Sequence, residues 1–209
     1  FARETVGRNG NRLRRRTYET HASFEGLAAT EVGAGSDQWD NYRVDVLWTD
    51  NTDQTAQATG ILARWQGPSE SGKGYFAYED SETPVSLLKI GRDFTAANQP
   101  DATVVLASAP LSRRVLANEI TRMVFELNGS ELTAWLYAEG TTPGVYDDLL
   151  GSVTTTDTTY TKGSAGLRSS LGGYNRESFF DDFVVSEIPE PASFMLMGLA
   201  TMLLAKRSK

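Results

Sequence analysis

Cysteine is absent from the 209 residues, which excludes disulfides, thiolate metal sites and cysteine nucleophiles together. The absence does not place the chain inside the cell, because exported bacterial domains can hold together on core packing alone. Histidine is almost as scarce. His21 stands alone, so a metal centre built on imidazoles is excluded, and a Ser-His-Asp triad would have to rest on that residue. It reads as an ordinary polar side chain. Positive charge is also in deficit. With a net charge of −7, the chain repels a phosphate backbone on average, which argues against nucleic acid as a partner. The local exception, Arg12-Leu13-Arg14-Arg15-Arg16, reads as a solvated face rather than a binding arm. A leader with a charged head and an apolar core is missing too. The sequence opens on Phe1, so a fragment or a processed chain is expected.

What remains is rich in Thr, Ser, Gly, Asn and Asp, the composition of many turns between many strands. Hydrophobic residues make up 40%, enough for one sizeable core. Helical periodicity is scarce, and short runs rich in β-branched and aromatic residues take its place. Tyr42-Arg43-Val44-Asp45-Val46-Leu47-Trp48 alternates cleanly. Gly60 to Gln66, Gly74 to Glu79, Ser86 to Ile90, Thr103 to Ala107 and Ile120 to Leu127 read as further strands. So do Glu131 to Ala138, Gly163 to Arg168 and Phe179 to Glu187. Asn128-Gly129 between two such runs predicts a type I′ hairpin turn, in which both central residues take positive φ. The aromatics Trp39, Trp48, Trp65, Phe76, Phe125 and Trp135 are expected mainly in the core. Strands at this spacing predict an all-β sandwich or barrel.

The character changes after Ser186. Pro189, Glu190 and Pro191 cannot continue a strand or sit inside a helix, so they predict an exposed elbow. An uncharged stretch follows, with membrane-segment ends at Ala192 and Ala205, and then Lys206, Arg207, Ser208 and Lys209. At 1.5 Å per residue the apolar helix would rise only about 21 Å, short of the roughly 30 Å hydrocarbon core; local thinning or snorkelling lysines would close the gap. The cationic end is expected to stay cytoplasmic as an anchor, leaving the body outside. Pro-Glu-Pro, a short apolar helix and a basic end, in that order, resemble the PEP-CTERM sorting signal. That resemblance implies an exosortase as partner, an inner-membrane intermediate before processing, and a bacterial envelope or exopolysaccharide matrix as destination.

The body carries a second resemblance. Trp39-Asp40-Asn41-Tyr42-Arg43-Val44, Gly60-Ile61-Leu62-Ala63-Arg64-Trp65 and Gly74-Tyr75-Phe76-Ala77-Tyr78 look like successive strands of concanavalin-A-like, laminin-G-like jelly rolls. Met123 to Gly129, Gly163 to Leu167 and Phe180-Asp181-Asp182-Phe183-Val184-Val185 are similar to later strands of that family, the last two to its closing pair. The match runs from about Gln38 to Ser186. It divides the chain into an N-terminal region 1–37, a β-sandwich 38–186 and a sorting segment 187–209. Complete family members have an early strand that pairs with the last one, for which Thr17 to Phe24 is the candidate here.

Glucanases of this fold hydrolyse glycosides with two acids, but no alternating Glu-x-Asp-x-x-Glu appears. Asp147-Asp148 and Asp181-Asp182 are adjacent, so in an extended strand their side chains point to opposite faces. No catalytic residue is assigned. Thr49 to Asp53 and Thr155 to Thr158 offer oxygen ligands for calcium, without the spacing of an EF-hand, so a calcium site stays unassigned. Arg64, Gln66, Tyr75 and Tyr78 fall on neighbouring strands and are the candidate glycan-binding residues. The expectation is a non-catalytic carbohydrate-binding or structural module. The alternatives are a glycoside hydrolase or lyase of the same fold, and a matrix protein without ligand.

Overall fold

The computed structural model describes the backbone of residues 2–4, 12–17, 22–26, 40–50, 57–66, 73–80, 86–93, 104–171 and 176–188. His21 and the segment from Pro189 to Lys209 lie outside the described residues. The early strands are β1 (Ala2–Glu4), β2 (Arg12–Thr17), β3 (Ala22–Gly26), β4 (Tyr42–Asp50) and β5 (Gln57–Gln66). Next come β6 (Lys73–Asp80), β7 (Leu87–Arg92), β8 (Val104–Pro110) and β9 (Thr121–Asn128). The chain closes with β10 (Glu131–Ala138), β11 (Asp148–Thr156), β12 (Ser164–Leu171) and β13 (Arg176–Glu187). No helix occurs among the described residues.

Two antiparallel sheets form the sandwich. One has seven strands in the order β1-β2-β13-β4-β9-β10-β11, the other six in the order β3-β12-β5-β6-β7-β8. The core lies between them because the strands alternate. In β4, Tyr42, Val44, Val46 and Trp48 point inward; in β10, Leu132, Ala134, Leu136 and Ala138 do. Ile61, Leu88, Ile90, Phe125 and Leu127 meet them from both sheets. Full burial of a Val, Leu, Ile or Phe side chain contributes about 1.5–3 kcal/mol each, so this two-sided layer is the main source of stability.

Several expectations shift in register. The early strand that pairs with β13 is β2, opposing Arg14 to Phe179 and Leu13 to Phe180; of the candidate segment only Thr17 joins it, while Ala22 to Phe24 pair with β12. The basic run Arg12 to Arg16 lies in β2. The hairpin turn also moves by one residue. Asn128 pairs with Glu131, so Gly129 and Ser130 are the central residues, and of Asn128, Gly129 and Ser130 only Gly129 has positive φ, at 58°. Glycine in the first central position with an ordinary second residue is the II′ pattern, not I′. β11 was hidden in the sequence because Asp148-Leu149-Leu150-Gly151-Ser152 does not alternate. Its register shifts opposite Leu136/Tyr137, and Leu111 fills the space over Gly151.

Candidate functional site

The four residues expected to read a glycan do not form one open patch. Arg64 is 1% exposed and sits in a bulge where the register of β5 slips against both β6 and β12. Its φ of 46° turns the side chain toward one end of the sandwich. There Nη1 donates to Tyr160 O at 2.9 Å, Nη2 to Asp40 O at 2.6 Å and to Gly129 O at 2.8 Å, and Nε to Asp40 O at 3.1 Å. Gly163 allows this crowding, since a Cβ there would lie 2.4 Å from the Arg64 carbonyl carbon. Burial lowers the Arg64 pKa, and Tyr42, Tyr75 and Asp40 oppose that shift. A guanidinium with its donors committed to backbone carbonyls is a staple between the sheets rather than a ligand reader.

Tyr75 is equally committed. Its hydroxyl donates to Asp157 Oδ1 at 2.7 Å and accepts from the Tyr160 N–H at 3.0 Å, and the two rings meet edge to face with centroids 5.5 Å apart. The Tyr160 hydroxyl donates to Asp93. Burial pushes the Tyr75 and Tyr160 hydroxyls up to about 12. Asp157 is pulled the other way: burial would raise it, but hydrogen bonds from Thr159 and Tyr75 and the charge of Arg92 hold it below the usual carboxylate range. This carboxylate was a candidate calcium ligand. Arg92 Nε lies 3.6 Å from Oδ2, so the cation facing this carboxylate is a guanidinium. Among the described residues, no group of three acidic, histidine or cysteine side chains stands together to hold a metal. Tyr78 lies on the outer face of the six-stranded sheet, fully buried and stacked on Phe76. Gln66 alone is exposed, its amide donating to Lys162 O at 2.9 Å.

The open surface lies on the other sheet. Outward residues of β4, Arg43, Asp45 and Leu47, oppose Glu126, Val124 and Arg122 of β9, which oppose Thr133, Trp135 and Tyr137 of β10. Trp135 and Tyr137 are half-buried. Beside them runs a groove of about 750 Å³, lined on one side by Arg43, Asp45 and Arg122 and on the other by Gly144, Val145, Tyr146 and Asp147. Arg122 grips Asp45 through Nε at 2.8 Å and through Nη2, and Arg43 adds a contact at 3.5 Å. The loop after β10 is shaped by its own backbone: Gly140 N donates to Val145 O at 2.8 Å and Val145 N to Thr142 O at 3.0 Å. That shape sets Tyr146 and Asp147 against the groove.

The adjacent acids Asp181 and Asp182 correct a second expectation. The register of β13 shifts between Asp181 and Val184, and Asp182 takes φ of 51°. Phe180 and Phe183 both pack into the core, so the two acids between them share the outer face. Asp182 lines the groove, and Asp181 lines a recess at its end. Strict alternation fails here because a bulge adds a residue to one strand only.

Solved structures place this architecture. The chain superposes on the legume lectin-like domain from Entamoeba histolytica with a TM-score of 0.54 at 8% identity, covering 86% of this chain and 85% of that one. It also superposes on the exoplasmic/lumenal domain of VIP36. In the Ca2+/Man-bound form the TM-score is 0.53 at 9% identity, over 73% and 70% of the two chains. In the Ca2+/Man3GlcNAc-bound form it is 0.50 at 13% identity, over 75% and 73%. The class that the fold defines is therefore the lectin-like jelly roll. No curated protein matches the sequence. Residues 187–209 match the family described as the PEP-CTERM protein-sorting motif, so the chain carries the signal of an exported protein handled by an exosortase.

Proposed function

We propose that the protein is delivered to the bacterial surface or extracellular matrix and that its sandwich binds carbohydrate there without catalysis. The observation that carries this reading is the groove on the seven-stranded sheet. Two arginines locked by one aspartate present fixed hydrogen-bonding edges, and half-buried Trp135 and Tyr137 lie on the same face. Sugars need both a flat apolar surface and oriented polar groups. The lectin-like neighbours support the reading through their fold alone. In this reading residues 187–209 act as the sorting and anchoring unit: Pro189-Glu190-Pro191 is the processing elbow, Ala192 to Ala205 the membrane segment, and Lys206, Arg207 and Lys209 the cytoplasmic anchor.

Two experiments test it. The full chain is screened on a glycan array, and Trp135→Ala is expected to lose the captured glycan while still unfolding cooperatively, at a lowered denaturant midpoint. Array binding that survives both Trp135→Ala and Arg122→Ala would place the site elsewhere. A tag appended after Lys209 is expected to vanish from the mature surface form; recovering it there sinks the sorting reading. The second functional reading is a glycoside hydrolase, favoured by Asp147 and Asp182 lining the same groove. Turnover of a polysaccharide abolished by Asp147→Asn or Asp182→Asn would establish it.

A further inference from the structure

The groove ends in a recess of about 20 Å³, room for one water or one methyl group. Leu47 and Tyr146 belong to both, so the two are continuous. With Trp48, Ile120 and Phe179 they make the recess wall largely apolar, interrupted by Thr49 and Asp181. Register puts both polar residues on the outer face: Thr49 opposes Phe179, and Asp181 opposes Leu47. Thr49 is 9% exposed, and its Oγ1 is buried without a hydrogen-bond partner. Buried hydroxyls are rarely left so, and this one stands beside a methyl-sized apolar hole. Asp181 accepts from the Asp182 N–H at 3.0 Å, and an ionised carboxylate has lone pairs for further donors.

We propose that this recess takes the acetamido group of an N-acetylated sugar whose ring lies in the groove. The methyl fills the apolar wall, the carbonyl oxygen accepts from Thr49 Oγ1, and the N–H donates to Asp181. A plain hydroxyl leaves the apolar wall unfilled. An O-acetyl ester sets an oxygen lone pair against the Asp181 carboxylate, and a free amino group, though able to pair with Asp181, leaves the apolar wall unfilled and the Thr49 hydroxyl without an acceptor. The proposal rests on carbohydrate binding in the groove and specifies its substrate class.

The test titrates the full chain with the N-acetylglucosamine trisaccharide and with cellotriose, its glucose counterpart, by calorimetry. The acetylated sugar is expected to bind roughly tenfold tighter, the worth of one good hydrogen bond plus a seated methyl. Thr49→Val keeps the shape, removes the hydroxyl and is expected to erase most of that preference while leaving cellotriose unchanged. Thr49→Ser retains the hydroxyl and is expected to retain the preference, which separates the hydroxyl from any effect on folding. Equal affinities for the two sugars, or a preference that survives Thr49→Val, overturn the acetamido recess and leave the groove reading standing. Silence of the whole glycan array removes the groove reading as well.

Discussion

Arg168 and Arg122 both lie on the outer face of a sheet beside aromatic rings, yet one is fully buried and the other 35% exposed. On the six-stranded sheet, the Arg168 guanidinium sits 5.3 Å from the Phe76 ring centroid. Phe76 in turn stacks on Tyr78 at 4.4 Å, and Leu62 and Trp65 complete a second buried cluster. On the seven-stranded sheet, Arg122, Trp135 and Tyr137 stay half-buried around an open groove. The residue types are nearly the same. Arginine beside tyrosine or tryptophan is therefore no signature of a binding site until its burial is known. Arg64 makes the point a third time, inside the sandwich, with its donors committed to carbonyls of three separate segments.

This contrast can be broken most directly at Arg64. Arg64→Ala strands buried carbonyls and removes the staple between sheets, so a loss of at least about 3 kcal/mol is expected in urea denaturation. A loss below 1 kcal/mol would mean that the polar end of the sandwich is not structural. The next effect is on alkaline stability. Free tyrosine ionises near 10, and burial pushes the Tyr75 and Tyr160 hydroxyls up to about 12. The unfolded chain gives up these protons first. Stability is therefore full below about pH 10 and falls as the pH rises toward 12, to be read from denaturation midpoints alongside tyrosinate absorbance. At the acid end the sign reverses. Asp157, depressed in the fold, stabilises above its ordinary value of about 4 and ceases to do so as the pH falls below it.

Smaller effects sharpen the other side of the comparison. A Cβ at Gly129 meets no atom within 4 Å, so the positive φ is the main penalty on Gly129→Val, and a cost of about 1–2 kcal/mol is expected. An unchanged midpoint would show that the turn relaxes to another type. Arg122→Ala removes a partly exposed ion pair and is expected to cost less than about 1 kcal/mol, while weakening glycan capture. If Arg122→Ala destabilises as much as Arg64→Ala, the groove is scaffold and the distinction between the two faces fails.

Local properties of the chain were legible without a fold. Alternation in Tyr42 to Trp48 and Glu131 to Ala138 announced strands, because period two is a property of neighbouring residues. The order Pro-Glu-Pro, apolar run, basic end identified the sorting signal for the same reason. β11 escaped because Gly151 and a register shift break its alternation. The candidate site escaped because covering is a long-range property. Nothing near Tyr75 in sequence reveals that Asp157 and Tyr160 close over its hydroxyl. Likewise nothing near Trp135 reveals that its face of the sheet stays open. Two bulges decided the rest: one aimed Arg64 into the polar end of the sandwich, and the other brought Asp181 and Asp182 to one face. A bulge arises from pairing with partner strands distant in the chain, so where these side chains point was settled by tertiary structure.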